Sequence, residues 1–315
     1  MLPQFFIRTF AADHPSWRQS VRSIPSNKSL LRLVAAKSSP LCLCLALPLA
    51  MAISGCTSVP LKEGGTLTSY SNLGAPKGKF SKKRLYVDGQ GLAAVKTASI
   101  VPTTFSFSAA SRIKSQADRS LVSNALDRAL CVALSDRYQM VPAGQPADLT
   151  VRSVVTDIVP TNKTMAGVAT VVTVGSSFAL PVSVPRLPYG LGGLAVEAEA
   201  ADNSGTQRAA MVWARGANSI QNSPRVSEVG DAYGLATKFA GDFSKMLITG
   251  KEPKGLDLDL SLPSRQRVQS WLGGKPKYAA CDAFGRSPGL VGAVASKYGA
   301  PPQWTEKKPK PSVTH

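Results

Sequence analysis

LAVEAEAADNSGTQRAAMVWAR, residues 194–215, is the stretch whose pattern decides the fold. Leu194–Ala201 and Thr206–Arg215 both carry strand-like patterning, and Asp202-Asn203-Ser204-Gly205 between them has the chemistry of a tight turn, so the segment predicts a β-hairpin. A four-residue loop sets Glu199 opposite Arg208 as a structural ion pair. The same register places Leu194, Val196, Ala198, Ala209, Met211 and Trp213 on one face and Glu197, Glu199 and Arg208 on the other. The apolar face requires a cover.

Two helices are at hand to supply it. Upstream, Ser115 opens a helix with Asp118 three residues on, and Ala117, Leu121, Val122, Ala125, Leu126, Ala129, Leu130 and Ala133 recur at helical spacing until about Tyr138. Downstream, Ala232, Leu235, Ala236, Phe239, Ala240, Phe243, Met246 and Leu247 form a second stripe over roughly 228–248. Strands are expected at 98–107, where Pro102 suggests an edge or a bulge, and at 149–159 after a turn-rich stretch around Pro142 and Pro146. The order of elements predicts an α+β fold: an antiparallel sheet with two amphipathic helices packed on one face.

Between Lys163 and Arg186, twenty-two uncharged residues, TMAGVATVVTVGSSFALPVSVP (164–185), mix β-branched with small side chains. Period-2 alternation is broken, which favours a buried strand plus loop. The alternative is a pair of short strands turning at Gly175-Ser176-Ser177 and contacting a membrane. Residues 56–95 are rich in Gly, Ser, Lys and Pro and read as a flexible tether. The domain proper is expected over 96–250, followed by an extension at 251–306 and a disordered basic tail at 307–315.

The N-terminus reads as an export signal. LCLCLALPLAMAI (41–53) is an apolar run preceded by Arg8, Arg18, Arg22, Lys28, Arg32 and Lys37, too short for a stable membrane span. Ile53-Ser54-Gly55-Cys56 follows and resembles the lipobox of bacterial lipoproteins. That resemblance implies cleavage between Gly55 and Cys56, diacylglycerol on the thiol and a further acyl chain on the new N-terminus, making 1–55 a signal peptide. Thr57, rather than Asp, after the cysteine implies the outer membrane, facing the periplasm. The basic n-region is longer than the usual signal allows. No other cofactor and no metal is expected.

The formal charge of the chain is +18, and because six Lys/Arg and one Asp lie in 1–55, the remainder carries +13. In an exported protein such charge would meet anionic lipid, cell-wall polymer or envelope proteins, not nucleic acid, and the favoured reading is a solvated surface and tail that bind nothing specific. Cys131 and Cys281 remain after processing; an oxidising compartment allows them to pair, but the helical position of Cys131 favours a lone thiol buried as a small hydrophobe.

Catalytic signals are weak. The two histidines are His14, inside the signal, and His315, at the last position, which excludes Ser-His-Asp and Cys-His sites from the domain. Ser111-Arg112-Ile113-Lys114 spells S-x-x-K without its supporting motifs. Asp148, Asp157, Glu197 and Glu199 are the carboxylates from which an acid/base pair would be drawn, and sheet-face charge accounts for them better.

TDIVPTN (156–162), the 194–216 hairpin and DAYGLATKFAGDF (231–243), with YSNL (70–73) and YVD (86–88), resemble the bacterial lipoproteins grouped as domain of unknown function 3313, over roughly 65–248. The resemblance implies an exported, lipid-anchored α+β protein and supplies no active site. The expected role is a non-enzymatic envelope lipoprotein that binds or supports another component. A subunit of an oligomeric envelope or secretion assembly, touching the membrane through 164–185, is the first alternative; a histidine-free cell-wall hydrolase is the second.

Overall fold

A computed structural model of the chain describes residues 59–179, 189–218, 225–253, 264–307 and 309. The signal peptide, Gly55 and Cys56 lie outside the described residues, as does most of the 307–315 tail.

The hairpin forms the centre of a seven-stranded open sheet. Its strands are β1 (Ser81–Val87), β2 (Thr97–Ile100), β3 (Thr104–Phe105), β4 (Gln139–Val141), β5 (Leu149–Val159), β6 (Gly193–Asp202) and β7 (Gln207–Gly216). They are ordered β1-β7-β6-β5-β2-β4, with β3 also pairing β5. The fold is α+β as expected. Antiparallel pairing, however, is confined to β1-β7-β6-β5; β2 runs parallel to both β4 and β5, and β3 parallel to β5. The reason is connectivity: a helix crosses over between β2 and its neighbour β4, and a crossover joins parallel strands.

Three helices precede or make that crossover: α1 (Gly89–Ala93), α2 (Phe107–Arg112) and α3 (Gln116–Leu134), the last capped by Ser115, whose side chain accepts from the Asp118 N–H. Helix α5 (Gly230–Thr249) lies beside α3, and the two cover one face of the sheet. Trp213 meets Phe239 edge-on at 5.7 Å between ring centroids, Phe239 stacks on Phe243, and the Tyr138 hydroxyl donates to the Leu247 carbonyl at 2.7 Å. Gly250 closes α5 in the left-handed region (φ 61°) and packs directly on Gly89, so a Cβ at Gly89 would stand 2.5 Å from the Gly250 carbonyl oxygen.

The opposite face is covered by residues expected to be a tether. The described part of 56–95 is ordered: Val59, Leu67 and Leu73 are buried, and Ser81–Val87 is an edge strand. Leu67 and Leu73 pack on Ala210 and Val212, and Val59 packs on Ala195 and Ala214. The alternation of β6 and β7 presents these small side chains on the face away from the helices, and residues 59–74 form a strap across them. Its hold depends largely on backbone N–H groups meeting sheet carboxylates, which leaves no hydrophobic period in its sequence.

The uncharged segment is also corrected. Residues Lys163–Ala179 form helix α4, not a strand and loop; Asn162 caps it by accepting from the Met165 N–H, and Ala166 and Ala169 face inward. Among the described residues no helix is long and apolar enough to cross a membrane.

After Gly250 the chain adds α6 (Arg265–Trp271), a 3-10 turn (Ala279–Phe284), α7 (Gly289–Lys297) and α8 (Pro302–Thr305). A Cys131–Cys281 disulfide, with Cα atoms 5.6 Å apart, fastens this extension to α3, so Cys131 is not a lone thiol. Arg128 pairs with Glu306 and donates to the Tyr233 hydroxyl, closing the extension over α3 and α5. Lys307 is docked too, forming an isolated bridge with Arg286.

Candidate functional site

Glu197 and Glu199 project from β6 toward the strap, and each is fully engaged. Glu197 accepts from the Gly64 N–H (2.6 Å), the Thr66 N–H and hydroxyl, and the Tyr70 hydroxyl (2.7 Å). Burial, reinforced by the Glu197 bond, raises the Tyr70 pKa. Glu199 accepts from the Thr68 N–H and hydroxyl and from Gln207, and pairs with Arg152. Its burial alone would raise its pKa; those donors and Arg152 outweigh it and leave the value lowered.

The expected Glu199–Arg208 pair is absent. Glu199 stands opposite Ala210, because the register of β6 and β7 shifts between Ala200 and Ala201, with Ala200 opposite Ala209 and Ala201 opposite Gln207. The bulge turns Arg208 away to Asp88 (2.6 Å) and Asp202. Asp202 also accepts from Ser204 and Thr206; the Ser204 hydroxyl is the leading cause of a pKa held at about 2. The predicted apolar face survives, since the cross-strand partners move without exchanging faces.

The other candidates are dispersed. Asp148 accepts from the Lys96 and Thr97 N–H groups at the start of β2, Asp157 pairs with Arg112 at 3.2 Å, and the Ser111 hydroxyl donates to its own helix at Ser108. Neither these two carboxylates nor Glu197 and Glu199 line the groove described below. Among the described residues no cluster of His, Cys, Asp and Glu has the makings of a metal site.

Two buried acids, Asp127 and Asp231, were overlooked in the sequence. Asp127 on α3 is 1% exposed and accepts both the N–H and the hydroxyl of Thr103. Burial pushes its pKa up to about 7, against the opposing pull of the two Thr103 bonds. Its place one turn before Leu130 and Cys131 was the available signal. Because the folded value is raised, the folded chain binds the proton more tightly than the unfolded chain between the ordinary carboxylate range and about pH 7. Stability from this group is therefore complete below that range and falls as pH rises to about 7. Asp127→Asn keeps an acceptor for the Thr103 N–H and offers the hydroxyl a donor. We expect urea midpoints close to the parent's at pH 4 and above it at pH 7.5; parallel profiles would refute the assignment.

The open site is a groove of about 910 Å³ between the outer surfaces of α3 and α5 and the extension's α6 and α7. Small residues on α5, Gly234, Thr237, Gly241 and Ser244, form its floor, and Ser264, Ser270, Ser287 and Ser296 add hydroxyls. Five cations line it (Arg128, Arg225, Lys245, Arg267, Lys297) against one carboxylate, Asp136, which Arg267 engages. Trp271 stands half-exposed at its wall. Arg225 is half-buried, its guanidinium 5.3 Å over the Tyr233 ring, and desolvation lowers its pKa. The groove can hold an extended, hydroxyl-bearing, anionic ligand; within it the Ser264 hydroxyl donates at 2.7 Å to Asp136, the carboxylate that Arg267 engages.

Residues 62–243 match the model of the family described as "Protein of unknown function (DUF3313)". No curated protein matches the chain. Among solved structures, a PelC dodecamer from Paraburkholderia phytofirmans is similar, at 13% identity over 55% of this chain and 99% of that one, with a TM-score of 0.33. A single-substitution variant of that PelC dodecamer is similar at 11% identity, with the same coverage and a TM-score of 0.30.

Proposed function

Since the chain belongs to the DUF3313 family, whose function is unknown, we propose from its own chemistry that it is an exported, lipid-anchored envelope protein with a binding and not a catalytic role. The observation that carries this reading is the Cys131–Cys281 disulfide. Such bonds persist in oxidising compartments, and this one agrees independently with a lipobox at Ile53–Cys56. The binding role rests on the groove, whose cationic and hydroxylated lining suits an anionic component of the outer membrane or cell wall. The strap carboxylates Glu197 and Glu199 are already committed to holding the fold.

The test is intact mass and membrane fractionation of the native protein beside Cys56→Ala. We expect the parent to begin at Cys56, acylated and membrane-bound, and the variant to keep residues 1–55. A full-length, unacylated, soluble parent would refute the anchor and the location together.

A further inference from the structure

Val59, three residues beyond Cys56, is already part of the fold. It is 2% exposed and packs on Ala195 and Ala214 so closely that a Cβ at Gly193 would come 2.2 Å from its side chain. Three residues span at most about 11 Å. An acylated Cys56 therefore has no slack, and the end of the sheet where β6 begins and β5 and β7 finish must lie at the bilayer.

That end also carries several of the large apolar side chains that stand uncovered. Helix α4 leaves β5 there and exposes Val168 (46%) and Val171 (72%) on its outer side. Tyr189 (66%) lies beside Gly190, whose carbonyl accepts from the Asn162 N–H. Tyr298 (63%) precedes Gly299, where a Cβ would meet Thr170 of α4, and Phe80 (67%) precedes Ser81, the partner of Arg215 at the end of β7. Apolar surface flanked by aromatic residues is the composition of a membrane-interface contact. The turn at Asn203, at the far end of ten-residue β6, is about 30 Å away and polar.

We propose that this end is a lipid-binding face: α4 lies in the headgroup region of the leaflet that holds the acyl chains, with Phe80, Tyr189 and Tyr298 around it. The proposal rests on the lipid-anchor reading for its geometry and on the exposed residues for its chemistry. It fixes the orientation of the domain, with the 202–205 turn pointing away from the membrane.

The experiment places a tryptophan at Val171→Trp or, as a control, at Asn203→Trp in the full chain purified from membranes. The samples are reconstituted in phosphatidylethanolamine–phosphatidylglycerol vesicles with and without brominated phosphatidylcholine, and emission of the unsubstituted protein is subtracted. Val171→Trp should lose roughly half of its added emission to the brominated lipid, as an indole in the interface does, and Asn203→Trp none. Intact mass on the same samples separates the two readings. An acylated protein without quenching at 171, or with quenching at 203, overturns the lipid-binding face and leaves the anchor standing. An unacylated protein quenched at 171 overturns the anchor and supports the face. An unacylated protein without quenching overturns both.

Discussion

Cys131→Ala combined with Cys281→Ala should lower the unfolding free energy by up to about 5 kcal/mol, the loop-closure entropy of a link between residues far apart in the chain. The separation is 150 residues, so the bond constrains a large share of the unfolded ensemble. It also fastens the extension covalently to α3. Without it, what remains includes the Arg128–Glu306 and Arg267–Asp136 pairs, the Tyr233 hydroxyl on Glu306, the Lys277 ammonium on the Ser135 carbonyl, and Phe284 packed in the core. The variant should lose the groove first, with trypsin cutting at Lys277 before the sheet unfolds. Urea titration of the parent with and without dithiothreitol, beside the variant, decides the matter. The reduced parent should coincide with the variant, and an unchanged midpoint would show that the extension is held by its other contacts.

A loss of about 3–5 kcal/mol is expected for Glu197→Ala, the usual range for removing one partner from a buried charged network. Glu197 is 0% exposed and is the shared acceptor for four donors of the strap, so alanine leaves the Gly64 and Thr66 N–H groups and two hydroxyls without it. Glu197→Gln keeps one oxygen for Gly64 and turns an amide toward the other donors, two of which are hydroxyls able to reverse; about 1–3 kcal/mol is expected. Tyr70 supplies a second reading. Once the strap is free its hydroxyl should titrate at the ordinary tyrosine value, where in the parent burial and Glu197 raise it. Equal urea midpoints for parent and Glu197→Ala would mean that the apolar contacts at Leu67 and Leu73 hold the strap alone.

Much of the scaffold was legible because it repeats with a period. Strand β5 was bounded at Leu149 and Val159 by β-branched residues between Pro146 and Pro160, and Ser115 announced α3 by its cap. The errors lie where the local signal and the tertiary contact disagree. Residues 164–179 are rich in Val and Thr, which favour strands, but Ala166 and Ala169 at i,i+3 spacing and the Asn162 cap commit them to a helix. The bulge before Ala201 is invisible to a turn rule that counts only loop length. The strap escaped because its partners, Glu197 and Glu199, are about 130 residues away. The groove escaped for a similar reason: its two sides come from residues 125–249 and 264–297, and no local pattern joins them.

The distance between Gly64 and the carboxylate that receives it, 133 residues, also sets an order of assembly. A chain that emerges from its N-terminus presents the strap long before β6 and β7 exist to accept it. During that interval residues 59–74 have no surface to cover, and β1 has no β7 to pair with. Long-range closures of this kind are the slow steps of folding. The Thr66 and Thr68 hydroxyls must stay hydrated until the hairpin at 202–205 has turned, after which they exchange water for Glu197 and Glu199. The first part of the fold to be synthesised is thus the last layer to be laid on the sheet.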